Sequence, residues 1–235
     1  YYVGIDWVSA YLIDTGVGLV LIDSLYGKWV NVLERNIRQL GFDPADIKYV
    51  INTHGHFDHA GGSAHFQKYY GAKIVMTEED WQIALAEPEV PMFYIPTPRR
   101  DVVAQDSDKI TVGDNEFTLY NTPGHTTGVL SISYTAYDGD SQHKVMALGG
   151  VGLNFSGVER TETYIDSYLR LQSIQDDIEV SLPNHAAMGR VFERRNELKQ
   201  RKINGPHPFV DPEGYRADLA TFISNARRKL EQERN

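Results

Sequence analysis

Hydrophobic and polar positions along the first part of the chain predict strands that alternate with helices. Residues 8–13 and 18–23 are short β-rich runs separated by turn residues, which predicts a hairpin. Between residues 28 and 40, apolar side chains recur at helical spacing and Gly41 follows, so we expect an amphipathic helix there. Residues 47–52 form a short apolar run that is typical of a buried strand.

The same patterns predict the remaining elements. Helices are expected over residues 64–70, 161–173, 186–202 and 211–233, and strands over 73–76, 117–120, 129–134, 144–148 and 178–182. A turn at residues 113–115 predicts a second hairpin. Four prolines between residues 88 and 98 exclude a helix or central strand, so this segment is expected to be an irregular surface loop. Because strands and helices are intermixed throughout, we expect one αβ domain over residues 1–235.

Composition and charge exclude several classes of protein. No stretch approaches the ~18 consecutive apolar residues of a membrane span. The formal charge of -9, from 32 acidic against 23 basic residues, disfavours nucleic acid as a partner. Since the chain contains no cysteine, disulfides, thiolate metal ligands and cysteine nucleophiles are excluded. Neither a membrane nor nucleic acid is therefore the expected partner, which leaves a small-molecule partner open.

Three histidines and an aspartate lie within six residues, directly after the strand predicted over residues 47–52. Side chains two residues apart on an extended segment point to the same side. His54 and His56 are therefore expected to face one metal ion, and Asp58 and His59 a second point nearby. Imidazole nitrogens with a carboxylate suit Zn²⁺, and a catalytic zinc keeps three protein ligands and an open position for water.

Two further histidines follow predicted strands and provide the missing ligands. His125 and His185 each lie just beyond a strand end, where a rigid backbone holds metal geometry well. The remaining histidines, His65, His143 and His207, lie on a predicted helix or in polar and proline-flanked loops, and we interpret them as structural or solvated. The pattern thus predicts two sets of three ligands.

These motifs resemble the metallo-β-lactamase superfamily, whose hallmark is His-x-His-x-Asp-His, and within it subclass B3. The segments that look like B3 enzymes are residues 2–4, 8–12, 56–62, 122–126 and 208–212. The resemblance implies an αβ/βα four-layer sandwich with two mixed β-sheets flanked by helices. It also implies that a first zinc is bound by His54, His56 and His125, and a second by Asp58, His59 and His185.

The resemblance further implies a hydrolase in which these six ligand residues form the catalytic centre. Two zinc ions sharing a water lower its pKa from about 15.7 toward about 7, and the resulting hydroxide attacks a carbonyl without a side-chain nucleophile. The expected reaction is opening of the β-lactam ring of penicillins, cephalosporins and carbapenems. A periplasmic or secreted location, with any export signal already removed, is the expected setting, and a monomer is compatible with the sequence.

The segment after the strand predicted over residues 144–148 departs from the family pattern. Lactonases and glyoxalase II enzymes of the superfamily carry a metal-bridging aspartate there, whereas this chain has Gly149 and Gly150. Many B3 enzymes carry serines that hold the substrate carboxylate, and these are missing too. We therefore expect Gly150, Asn154 and Phe155 to contact the substrate, and we expect a serine at position 150 to strengthen binding.

Three alternatives remain open. A lactonase or ester hydrolase on the same metal site agrees with the missing serines. A zinc-binding module without catalysis, or a redox module, is a second class, although redox relatives need an added flavin domain and a bridging acid. A nuclease is disfavoured by the acidic charge.

Overall fold

Two five-stranded sheets form the centre of the molecule. The computed structural model describes residues 1–86, 96–174, 177–203 and 205–235. In spatial order, the first sheet contains β1 (Tyr11–Asp14), β2 (Leu19–Ile22), β3 (Ile47–Ile51), β4 (Lys73–Thr77) and β5 (Val102–Ala104). The second contains β10 (Val180–Pro183), β9 (Ser141–Leu148), β8 (Leu130–Asp138), β7 (Asn115–Asn121) and β6 (Lys109–Val112).

Each sheet combines parallel and antiparallel pairs. In the first sheet, β1 and β2 are antiparallel, and the pairs from β2 to β5 are parallel. In the second, β9 and β10 are parallel and the other pairs are antiparallel. The helices are α1 (Trp29–Gln39), α2 (Phe57–Ala60), α3 (Ser63–Tyr70), α4 (Glu78–Ala86), α5 (Val158–Ile174), α6 (Val191–Lys199) and α7 (Pro212–Arg234). Both sheets are mixed, as the resemblance implies.

The period of two along each strand separates the apolar side chains into two layers. Tyr11 and Ile13 of β1 pack between the sheets, whereas Leu12 faces the helices outside the first sheet. Likewise, Met146 and Leu148 of β9 pack outward against α5 and α7. Apolar burial on both faces stabilises each sheet by about 25 cal/mol for every Å² removed from water.

Helices cover the outer face of each sheet. On α1, Val30, Leu33 and Ile37 lie at helical spacing and pack into the cluster outside the first sheet. Tyr168 of α5 and Phe222 of α7 belong to the corresponding cluster outside the second sheet. The four-layer sandwich predicted from the resemblance is therefore confirmed.

Most predicted elements are present, and the differences have local causes. The helix expected over residues 186–202 is wrong in its first turn: α6 begins at Val191, because Arg190 adopts a left-handed conformation with φ 50° that a helix cannot pass through. The helix α2 is a single turn, too short to produce a periodic pattern. Residues 88–95 of the expected proline-rich loop lie outside the described residues, and residues 96–98 form neither helix nor strand.

Parallel strands bring several chain segments to one edge of the sandwich. Strands β2, β3 and β4 run in the same direction, so the residues after Ile22, Ile51 and Thr77 meet at their carboxyl ends. The second sheet contributes the ends of β9 and β10. In the described ranges, no helix is long and apolar enough to cross a membrane.

Candidate metal centre

Five histidine side chains meet at this edge. The His54 ring lies at the centre of the group. Its centroid is 4.7 Å from the centroid of the His125 ring and 4.2 Å from that of the His59 ring. His185 extends the row, 5.1 Å beyond His59. His56 lies beside it, 4.8 Å from His54 and 4.9 Å from His125. The structure therefore brings together all five histidines that the sequence singled out.

The possible ligand atoms form two compact groups that share one residue. Within each group, these atoms lie within 4.8 Å of one another; the groups are His54, His56 and His125, and His54, Asp58 and His59. The first group is the one expected from sequence. In the second, His54 stands where His185 was expected, and His185 joins the group only through its ring contact with His59.

Backbone carbonyls determine which ring nitrogen is free at two of the histidines. His125 Nδ1 lies 2.9 Å from the Gly152 carbonyl oxygen, and His185 Nδ1 lies 3.2 Å from that of Trp7. Because a carbonyl only accepts, each Nδ1 carries the proton and donates it. Each Nε2 then keeps its lone pair for a metal.

A buried aspartate that sequence reasoning missed orients the second group. Asp23 Oδ2 accepts from His59 Nδ1 at 2.7 Å and from the Thr53 hydroxyl at 2.9 Å, and Asp23 Oδ1 accepts from the Thr53 backbone N–H at 2.7 Å. This network leaves His59 Nε2 pointing toward Asp58 Oδ2, 3.3 Å away. The available signal was the place of Asp23 directly after a parallel strand.

Burial keeps most of these imidazoles neutral. Desolvation, together with neighbouring histidines, holds the pKa of His54 well below its ordinary value. Desolvation also lowers the pKa of His125 to about 4, and it lowers the pKa of His56 and of His185. A neutral imidazole is the form that binds metal, so no proton has to be removed at these positions near pH 7.

His59 behaves differently because carboxylates surround it. Burial lowers its pKa, but Asp58 and Asp23 outweigh burial and raise the pKa to about 10. Burial has the opposite effect on Asp58 and raises the pKa of its carboxyl. The contact with His59 outweighs burial and holds the pKa of Asp58 below its ordinary range. Two carboxylates thus favour positive charge at this point, whether a proton or a metal supplies it.

The chemistry of these residues fits a divalent metal ion. The Nε2 atoms of His54 and His59 are buried and have no hydrogen-bond partner. Buried polar atoms without partners are rare in proteins, because each loses its hydration and gains nothing in return. Imidazole nitrogens combined with one carboxylate form the donor set that zinc prefers. A cation at this point gives both orphaned nitrogens a partner.

Two side chains from distant helices brace the loop that carries His125. Arg160 of α5 donates through Nε to the Gly124 carbonyl at 2.7 Å and through its terminal nitrogen to the His125 carbonyl. Asp80 of α4 accepts from the Thr126 hydroxyl at 3.0 Å. Sequence reasoning missed both residues, because nothing in the local pattern around Asp80 or Arg160 indicates a contact with this loop.

The segment after β9 approaches His125, with consequences for the expected substrate contacts. Gly150 has φ 57°, and a Cβ there would lie 2.7 Å from Val129 Cγ2 and 2.9 Å from His125 Cβ. A serine at position 150 is therefore strained, which opposes the expected gain in substrate binding; the gain itself stays a prediction. Asn154 is exposed, and the Phe155 ring lies 6.3 Å from that of His125. Substrate contacts at Gly150, Asn154 and Phe155 stay predictions.

Comparison with solved structures places this fold among metallo-β-lactamases. The family model described as the metallo-beta-lactamase superfamily matches residues 4–138. The native FEZ-1 metallo-beta-lactamase from Legionella gormanii superposes with a TM-score of 0.90 at 27% identity, covering 100% of this chain and 94% of that one. BJP-1, a subclass B3 metallo-beta-lactamase of Bradyrhizobium japonicum, gives 0.85 at 28% identity, covering 99% and 89%.

Curated relatives at the sequence level have other activities and match smaller regions. An acyl-coenzyme A thioesterase, MBLAC2 of Gallus gallus, is 27% identical over 161 residues, which are 59% of this chain and 56% of the relative. An N-acyl homoserine lactonase of a Bacillus species is 33% identical over 107 residues, 44% of this chain and 37% of the relative. The chain thus spans about half the length, or less, of these relatives.

Proposed function

The chain belongs to the metallo-β-lactamase superfamily, and from this premise we propose that it is a zinc-dependent hydrolase that opens the β-lactam ring of penicillins, cephalosporins and carbapenems. The observation that carries the proposal is the extent of the structural similarity. Structural similarity to the FEZ-1 enzyme covers the whole chain at 27% identity, including the segment after β9 and the loop of His185. The match to the lactonase is a sequence match over 44% of the chain. Function depends on these site loops more than on the shared fold.

Two zinc ions complete the proposed centre. His54, His56 and His125 would hold the first, and Asp58, His59 and His185 would hold the second. When bound, such a pair polarises the carbonyl under attack and makes water acidic enough to supply a nucleophile near neutral pH.

The residues of the chain orient and protect this chemistry. The carbonyls of Gly152 and Trp7 hold the rings of His125 and His185 in one tautomer, and Asp23 does the same for His59. Asp58 presents a carboxylate that stays ionised through its contact with His59. It would accept a hydrogen bond from a water at the centre and orient it. Burial of His54 and His59 excludes bulk water behind the centre.

The proposal includes the organisation and setting of the protein. Residues 1–235 act as a single catalytic domain on a small-molecule substrate, without nucleic acid or membrane as a partner. A periplasmic or secreted location places the enzyme where β-lactams reach it, so the biological outcome is antibiotic resistance.

A substrate panel with metal content measured on the same sample tests the proposal. The panel contains a penicillin, a cephalosporin, a carbapenem, an N-acyl homoserine lactone and an acyl thioester. We expect two equivalents of zinc and the highest kcat/KM on a β-lactam. Efficient turnover of the lactone or thioester, with every β-lactam at the background rate, contradicts the substrate assignment while leaving the metal centre intact.

A lactonase, ester or thioester hydrolase on the same centre is the second candidate. It is favoured by the relatives with lactonase and thioesterase activity and by the lack of side-chain donors at Gly149, Gly150 and Gly152. The lack of an acidic residue directly after β9 counts against it, because the resemblance places a bridging aspartate there in lactonases. The same panel separates the two candidates.

A further inference from the structure

The row of histidine rings ends in a different aromatic residue on each side. Phe155 lies at the His125 end, with ring centroids 6.3 Å apart. Trp7 lies at the His185 end, 5.5 Å away and tilted by 45°. Trp7 is 49% exposed, and its ring contacts the half-buried His185. Its exposed face therefore lies at the solvent side of this end of the histidine row.

Trp7 is held on a rigid backbone. Its carbonyl accepts from His185 Nδ1 and from the Ala186 backbone N–H, both at 3.2 Å. The next residue, Val8, is fully buried and pairs with His185 in an isolated β-bridge. A large aromatic side chain on a fixed backbone presents contact area at a low cost in conformational entropy.

Two other aromatic rings continue the surface of Trp7 toward the metal-binding turn. Tyr26 packs edge-on against Trp7 at 6.3 Å and against Phe57 at 5.0 Å. Phe57 directly precedes Asp58 in the ligand motif. We call Trp7, Tyr26 and Phe57 the aromatic wall. The aromatic wall lies along the half of the centre that is formed by Asp58, His59 and His185.

Charge distinguishes the two ends of the row. Near Phe155, the Arg160 guanidinium lies 4.9 Å from the ring centroid and Lys229 Nζ lies 5.3 Å from it. Arg160 donates to two neutral carbonyls, so those contacts leave its charge in place, whereas Lys229 also pairs with Glu233.

The aromatic wall instead has acidic neighbours. Asp6 precedes Trp7 in the chain, and Asp58 follows Phe57. Asp6 is exposed, and the charge of Asp58 is offset by the proposed second zinc, so the difference between the two ends comes from the Arg160 guanidinium. An anionic group of a substrate is therefore favoured at the Phe155 end.

We propose that Trp7 is a specificity residue that selects substrates with an uncharged aromatic or bulky apolar side group beside the bond that is cleaved. The anionic group of the same substrate points toward Phe155 and Arg160. This inference rests on the proposed hydrolase function and names the class of side group that its site accepts. An aromatic stacking contact with Trp7 strengthens binding by about 2- to 13-fold beyond the area it buries.

Two penicillins that share one core and differ only in the side group test the proposal. One carries a phenylacetyl group and the other an acetyl group, both neutral amides. We expect Trp7→Ala to raise KM about tenfold for the phenylacetyl substrate and less than about twofold for the acetyl substrate. Trp7→Phe should restore most of the loss. Tyr137→Ala is the control, because Tyr137 is exposed on the β8–β9 hairpin.

A binding measurement separates substrate contact from support of the metal ligand. Calorimetry with the hydrolysed products of both penicillins, on zinc-loaded protein of measured metal content, needs no turnover. Weaker binding of the phenylacetyl product alone, with zinc content unchanged, supports the proposal. Equal losses for both products, or no loss for either, overturn it. If Trp7→Ala loses zinc, Trp7→Leu, which keeps an apolar side chain and the backbone carbonyl but has no aromatic ring, decides by the same criterion.

The outcome stays informative if the proposed β-lactam activity is wrong. Every β-lactam at the background rate refutes that activity and says nothing against Trp7. The substrate that the panel identifies is then compared in its phenylacetyl and acetyl forms, with the same variants. Selectivity for the phenylacetyl form that disappears in Trp7→Ala supports the inference, and equal behaviour of the two forms refutes it.

Discussion

The two ends of the histidine row are built in different ways. His125 is buried, its ring donates to the Gly152 carbonyl, and its loop is held by Arg160 and Asp80 from two helices. His185 is half-buried, and its ring donates to the backbone carbonyl of Trp7, whose indole is exposed.

This difference separates a rigid half of the centre from an open half. Ligands whose supporting groups are themselves fixed bind metal more tightly, because less disorder is lost on binding. The His125 end is therefore expected to hold its metal more strongly. The His185 end, beside the exposed Trp7, is the side from which a bulky substrate group is accommodated.

The largest expected effect comes from removing a ligand of the rigid half. His56→Ala should lower kcat/KM by several orders of magnitude on every substrate, because the reactive water depends on the metal. Steady-state kinetics measure this, with His65→Ala as the control, since His65 lies on α3 and contacts Glu34 instead. An active His56→Ala protein would show that the motif is not the catalytic centre.

Removing a ligand of the open half should release the second metal and leave the first metal bound in the rigid half. His185→Ala is expected to bind one equivalent of zinc after dialysis, compared with two for the parent protein, and to retain more activity than His56→Ala. Elemental analysis and kinetics on the same samples check this. Two equivalents retained at an unchanged rate would rule out His185 as a ligand.

A smaller effect is expected from the brace between α4 and the His125 loop. Asp80→Ala leaves the buried Thr126 hydroxyl without its partner, which costs about 1–3 kcal/mol. This free energy corresponds to about 5- to 150-fold weaker binding of the first zinc, because the His125 loop without its brace has to be ordered when the metal binds. Competition with a chelator measures the affinity, and Asp80→Asn, which keeps an acceptor, is the matched control. Equal zinc affinity in all three proteins would mean that Asp80 does not brace the loop.

The last expected effect is a pH dependence of stability that comes from Asp80. Burial raises the pKa of its carboxyl to about 7, and the Thr126 hydrogen bond opposes this only in part. A raised folded-state pKa contributes stability that is fully present below pH about 4 and is lost as the pH rises through about 7. The Tm of the parent protein should therefore fall between pH 4 and 8 relative to that of Asp80→Asn. Parallel Tm profiles of the two proteins would contradict the assignment.

The candidate ligands could be predicted from sequence because their signal is local. Four of them lie within six residues after a buried strand, and His125 and His185 follow strands of their own. The predicted division of the ligands into two separate sets of three was incomplete, because His54 belongs to both groups of donor atoms. A spacing rule for an extended chain cannot describe residues 57–60, which turn into the short helix α2.

The supporting residues could not be predicted in the same way. Asp23, Asp80 and Arg160 contact the metal-binding loops from positions more than 30 residues away in the chain. Their identities are ordinary for a strand end or a helix, so no local pattern distinguishes them. The contact between Trp7 and His185 likewise joins residues separated by 178 positions.

The sequence by itself determined the alternation of strands and helices and the set of candidate metal ligands, because hydrophobic periodicity and closely spaced ligand residues are local properties of the chain. The layered sandwich was implied by the family resemblance. Only the tertiary structure decided which nitrogen of each histidine is free, which carboxylate orients it and which end of the row stays open. These properties depend on contacts between segments far apart in the chain. They also depend on backbone conformation, as at Gly150, where the positive φ and the close approach of Val129 and His125 leave no room for a side chain.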